Sequence, residues 1–254
     1  MASPTIAPPG EVIVENKNRS HLQTILQLSG TLKSPNLSLS NPTVTFTISA
    51  RQTWSAHPDR PLTICTRHTP LDMEVPGRNW TGDFFSWWIA SLEKGSWKPL
   101  NWMPPATIRC SKQPSKEDWQ QILGFVTIPS LESGQVYTVD RELDISSLPE
   151  EHTLTLSKGE TVHFRLEGNN FRRSPGIEWW NWGDLNPDFK GKKLGYRGDP
   201  WLNDKDREEE RKLLPPDLVL GYENWRDPED DDGNEMVWLE MEFDETPMCC
   251  QVVE

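Results

Sequence analysis

Thr43-Val-Thr-Phe-Thr-Ile48 sets an apolar residue at every second position, Val44, Phe46 and Ile48, against three threonines. Successive side chains of an extended chain point to opposite faces, so this stretch reads as a strand with one buried and one wet face. The same period recurs in Thr161-Val-His-Phe-Arg-Leu-Glu167, with Val162, Phe164 and Leu166 inward, and in Thr153-Leu-Thr-Leu-Ser157. Between these two, Ser157-Lys-Gly-Glu160 places Gly159 where a hairpin needs positive φ. Gln135-Val-Tyr-Thr-Val139 follows a Glu132-Ser-Gly134 turn in the same manner. Residues 22–168 therefore read as about seven short strands separated by turns, which predicts an all-β, immunoglobulin-like or jelly-roll β-sandwich.

The composition agrees with that class. Among 254 residues there are 22 prolines and 16 glycines, enough punctuation for many turns. Only 35% of the chain is hydrophobic, so the 13 tryptophans must carry much of the core's bulk. Residues 80–105 mix Trp80, Trp87, Trp88, Trp97 and Trp102 with prolines at no clean period. They are expected to form a long excursion between strands that covers one end of the sandwich, and residues 111–122 a short helix capped by Ser115. The polar, Pro-rich residues 1–19 read as a flexible segment ahead of a sandwich over 20–200.

The net charge of −13 is concentrated in one region. Residues 201–254 hold five basic and eighteen acidic side chains, whereas 1–200 are balanced. This segment is expected to pack back on the sandwich through a short helix, Asp206–Leu214, and a strand, Met236–Phe243. In that strand Val237, Leu239, Met241 and Phe243 share one face. An acidic chain without clustered Lys/Arg argues against nucleic acid and against anionic membrane surfaces. With no basic-then-apolar leader at Met1-Ala-Ser-Pro-Thr5 and no apolar run of spanning length, an intracellular, cytoplasmic location is expected. Cys65, Cys110, Cys249 and Cys250 show no metal-ligand spacing and read as free thiols.

Asp59-Arg-Pro-Leu-Thr-Ile-Cys-Thr-Arg-His-Thr-Pro-Leu-Asp72 carries a resemblance. With the strand at 43–48, the glycine turn in Leu156-Ser-Lys-Gly-Glu-Thr-Val162 and the aromatic run Glu178-Trp-Trp-Asn-Trp-Gly183 before Lys192-Lys193-Leu194, it is similar to a group of uncharacterised filamentous-fungal proteins. More faintly it resembles the immunoglobulin-like sandwich beside deuterolysin-type metalloproteases. The resemblance spans about residues 35–200 and implies a sandwich whose Pro-led strand ends in a Thr-Pro-Leu-Asp turn. It implies no protease activity, because the zinc-binding H-E-x-x-H helix is missing from this sequence.

Three groups of residues bear on chemistry. Trp179, Trp180 and Trp182 fall within four positions, so at least one ring must point away from the others. They either fill the open end of the sandwich or, with Arg172 and Arg173 holding an anionic group, line a site for a small apolar or aromatic ligand or a sugar. His57-Pro-Asp59 has the spacing of two ligands of a non-haem Fe(II) facial triad, with His152 or His163 as the distal histidine. His163 nevertheless shares the polar face of its strand with Arg165 and Glu167, so an exposed loop and a wet strand face are the plainer account, and no metal or cofactor is expected. Asp227-Pro-Glu-Asp-Asp-Asp-Gly233 puts Pro228 and Leu239 where an EF-hand needs ligands, and reads as a solvated acidic loop.

No nucleophile elbow, phosphate loop or dinucleotide fingerprint is present. The expected function is a non-catalytic binding or interaction protein presenting a Trp-rich loop surface or pocket to an unknown protein or a small apolar ligand. The alternatives are a small enzyme of fungal specialised metabolism (a cyclase, isomerase or Fe(II)/2-oxoacid oxygenase) with a Trp-lined cavity, and a carbohydrate-binding module.

Overall fold

A computed structural model describes residues 22–66, 69–72, 85, 88–100, 124–148, 154–168, 177, 179–186, 188–195, 218–221 and 238–254. These form an all-β sandwich. Its first sheet holds β1 (Leu22–Leu32), β3 (Thr43–Ser55), β8 (Tyr137–Asp144) and β13 (Trp238–Phe243), in the order β13-β1-β3-β8. The second holds β2 (Asn36–Ser38), β5 (Ile89–Glu93), β6 (Ser96–Pro99), β9 (Thr161–Leu166) and β14 (Met248–Val253), in the order β2-β14-β9-β5-β6. A third sheet, β10-β4-β7, is made by β4 (Leu62–Cys65), β7 (Phe125–Ile128) and β10 (Trp180–Trp182). A two-stranded parallel ribbon joins β11 (Lys193–Gly195) to β12 (Leu218–Leu220). No helix among the described residues is long and apolar enough to cross a membrane.

The alternation at 43–48 holds and continues to Ser55. Val44, Phe46, Ile48, Ala50 and Gln52 are all buried on one face of the strand. Phe46 sits edge-on to Phe164 of β9 at 5.6 Å and to Phe85 at 5.4 Å, so one ring pins the two sheets together. Across the core Leu26 and Leu28 of β1 join Leu37, Leu166, Met248, Cys250 and Val252 of the second sheet. Gln52 is the polar exception on this face. Its amide nitrogen donates to the carbonyls of Arg60 and Pro129, at 3.2 and 3.0 Å, and its oxygen accepts from Thr24 at 3.4 Å. A buried amide with these partners fixes the loop after β3 against the end of β7.

The acidic C-terminal region contributes two strands to the sandwich itself. β13 runs parallel to β1, with Met241 opposite Leu26 and Phe243 opposite Leu28, and Leu239 and Met241 are buried as the alternation predicts. The chain then crosses through 244–247 to β14, which lies between β2 and β9 in the second sheet. Two consecutive N-terminal strands, β1 and β2, are thus each paired in parallel by a consecutive C-terminal strand. A boundary at residue 200 does not separate a finished sandwich from an appendage, since β13 and β14 complete both sheets.

Four expectations need correction. Residues 154–157 form no ladder: Leu154 is buried and Leu156 packs on the core, but the partner of β9 is β14. Gly159 does take positive φ, +84°, and its N–H donates to Val252 of β14 rather than closing a hairpin. The strand expected at 135–139 begins at Tyr137 and runs to Asp144. Within 80–105, Ile89–Glu93 and Ser96–Pro99 form a hairpin belonging to the second sheet. The Thr69-Pro-Leu-Asp72 turn forms as expected, with Thr69 donating to the Thr66 carbonyl through both its N–H and its hydroxyl. Residues 1–19 and the helices expected at 111–122 and 206–214 lie outside the described residues.

Candidate functional site

Period-2 geometry sorts the tryptophan cluster. Trp180 and Trp182 point from β10 into the main core, where their rings meet edge-on at 5.9 Å. Trp179 points the other way, into a smaller cluster with Cys65 and Phe189, and meets Phe125 edge-on at 5.1 Å. Gly221 lies so close to the Trp179 indole that any Cβ there would overlap the ring. Trp179 and Trp180 have no exposed surface and Trp182 is 6% exposed, so the trio presents no ring face to solvent. Trp180 and Trp182 belong to a strand, β10, and Trp179 immediately precedes it. Arg172 and Arg173 lie outside the described residues.

His57 and Asp59 are exposed in the turn after β3. The His57 ring packs edge-on against Trp182 at 5.2 Å, and Arg60 donates to the Trp182 carbonyl at 3.3 Å. His163 stands on the outer face of β9, in a different sheet, opposite Cys249 of β14. The fold does not bring His57, Asp59 and His163 to one point. Among the described residues no three His, Cys, Asp or Glu side chains are grouped to hold a metal ion. His152 lies outside them.

A different surface emerges on the outer face of the second sheet, built by the β5–β6 hairpin and β9. Lys94 and Gly95 connect the two strands, both at positive φ (+49° and +81°), as a two-residue type I′ turn requires. That register sets Leu92 directly opposite Trp97 and Ala90 opposite Pro99. On the other side of β5, Ala90 is opposite Arg165. Opposed residues share a face, so Leu92, Trp97 and Arg165 are neighbours on the outside of the sandwich.

Arg165 is held from several sides. Its guanidinium carbon lies 4.7 Å from the centre of the Trp97 ring. It reaches Glu245 at 3.2 Å and Glu167 at 3.6 Å. The Arg165 side chain is only 18% exposed and that of Glu167 only 13%, yet Arg165 Nε and Glu167 Oε2 meet no hydrogen-bonding partner among the described residues. Beside this fixed pair Leu92 is 37% exposed, one of three large apolar side chains so open among the described residues. The outer face thus carries an Arg–Trp stack edged by an exposed leucine. The signal in the sequence was short: Leu92-Glu-Lys-Gly-Ser-Trp97, a Lys-Gly turn between residues that become cross-strand partners.

Fold and surface together define a β-sandwich protein with an aromatic–arginine patch on one outer face. No family model, no curated protein and no solved structure matches this chain.

Proposed function

We propose that this chain is a non-catalytic interaction protein that holds a protein partner on the outer face of β5, β6 and β9, through Leu92, Trp97 and Arg165. The supporting observation is the fixed Arg165–Trp97 stack beside exposed Leu92. Trp and Arg are the residue types that concentrate energy at protein interfaces, and side chains already held in place lose little entropy on binding. We take the working compartment to be reducing, in keeping with the free thiols of Cys249 and Cys250.

The test is a photo-crosslinking residue placed at Leu92 in the full chain, expressed in its native cells, with and without Trp97→Ala. A discrete adduct that Trp97→Ala removes, at unchanged thermal stability, is the expected result. Absence of any adduct, or one indifferent to Trp97→Ala, would overturn the assignment.

A further inference from the structure

The sheet edges differ in how they are protected. β2 is three residues long, and β6 is four residues that include Lys98 and end on Pro99. β13 is six residues long, and the register of its ladder with β1 shifts at Leu22/Thr24. Short length, lysine, proline and irregular register are the ordinary means of blunting an edge. β8 has none of these four and is guarded by charge alone, Asp140, Glu142 and Asp144 outward and Arg141 toward the core side. It pairs with β3 over eight consecutive residues, Tyr137 to Asp144, with no register shift, and contains neither proline nor lysine. At about 3.4 Å per residue this is an edge of about 27 Å. Among the described residues no strand pairs with its other side.

The side chains on this edge select what can join it. Thr138, Asp140, Glu142 and Asp144 are exposed on the outer face, while Val139, Arg141 and Leu143 point toward the core side. A second copy of β8 joining antiparallel, core face to core face, must place residues of the same parity opposite each other. The two such registers with the greatest overlap set Asp140 opposite Asp140 or Asp140 opposite Glu142, and like charges directly opposite are destabilising. Lys33 takes one oxygen of Asp140 at 2.5 Å and Thr47 takes the other at 2.8 Å, so Glu142 is the strongest discriminator near the middle of the edge. The surface rejects itself and suits the opposite charge.

We propose that the free edge of β8 accepts an extended, basic segment of another protein as an added antiparallel strand, with Lys or Arg at alternate positions facing Glu142 and its neighbours. Backbone hydrogen bonds along the edge supply the affinity, and the acidic outer row supplies the selection. This surface lies in the first sheet and is independent of the Trp97–Arg165 patch in the second.

The experiment uses the full chain and a fluorescein-labelled octapeptide in which lysine alternates with threonine and valine. Fluorescence anisotropy measures affinity, and amide hydrogen exchange reads protection across 137–144. Saturable binding with slowed exchange in β8 is expected, weakened about tenfold by Glu142→Lys. The same peptide N-methylated on alternate amides, which blocks one hydrogen-bonding edge, is expected not to bind when the blocked edge faces β8. Trp97→Ala is expected to leave all of this unchanged. Equal binding of both N-methylated isomers would reduce the effect to bulk charge and overturn the proposal. Unprotected β8 amides, no binding, or concentration-dependent dimerisation that protects β8 without peptide would each overturn it as well.

Discussion

Cys249 and Cys250 are adjacent in sequence and opposite in environment. Cys250 points into the core from β14, where burial raises its thiol from the ordinary 9.0 to about 11, and Cys249 points outward. Below pH 9 the Cys250 thiol is neutral in both the folded and unfolded chain. Its pKa is raised on folding, so the stability it contributes is present below the unfolded value and lost as pH rises through the folded one. Folding stability should therefore fall by on the order of 2 kcal/mol between pH 9 and 11 through this residue. Denaturant unfolding of the chain and of Cys250→Val across that range measures it; equal slopes would show that Cys250 does not carry the effect. At this scale the sequence was readable wherever a residue lies in a clean alternation, as Val44, Phe46 and Leu166 do. It was unreadable for Trp179, Trp180 and Trp182. Their parity was fixed by spacing, but whether each face met core or solvent depended on β4, over a hundred residues earlier.

The β5–β6 hairpin shows what an element adds. Its two-residue turn requires positive φ at both positions, and Lys94 at +49° adopts a conformation that disfavours a side chain with a Cβ. Lys94→Asn creates the Asn-Gly pair that this turn type prefers. It should raise stability by about 0.5 kcal/mol, measured as a higher denaturant midpoint at unchanged slope. A lower midpoint would mean that the Lys94 side chain makes a contact worth more than the strain. The hairpin escaped a periodicity reading because each strand is only four or five residues long. Residues 154–157 show the opposite failure. Leu154 and Leu156 keep the apolar alternation of a strand and reach the core, but the place beside β9 is taken by β14. Hydrophobic period reports which face is buried and says nothing about which backbone supplies the hydrogen bonds.

Across the whole molecule the C-terminal strands decide integrity. β14 sits between β2 and β9, with Met248, Cys250 and Val252 buried against the first sheet. Removing residues 248–254 would uncover those neighbours' backbone edges and open a channel through the core. The truncated chain is expected to lose cooperative thermal unfolding, whereas removal of Glu254 alone should cost little, since among the described residues its largely exposed side chain meets only exposed Lys158. A truncated chain that still unfolds cooperatively would show that β9 finds another partner. By itself the sequence determined the all-β class, the inward faces of β3, β9 and β13, the turn glycine Gly159 and the concentration of acid after residue 200. These follow from local steric and periodic rules that act over a few residues. Only the tertiary structure decided that β14 completes the second sheet, that the tryptophan trio is interior, and that Leu92, Trp97 and Arg165 share an outer face. Pairing in a sheet is non-local: which strand lies beside which is set by the free energy of the assembled core, and no stretch of the chain encodes it alone.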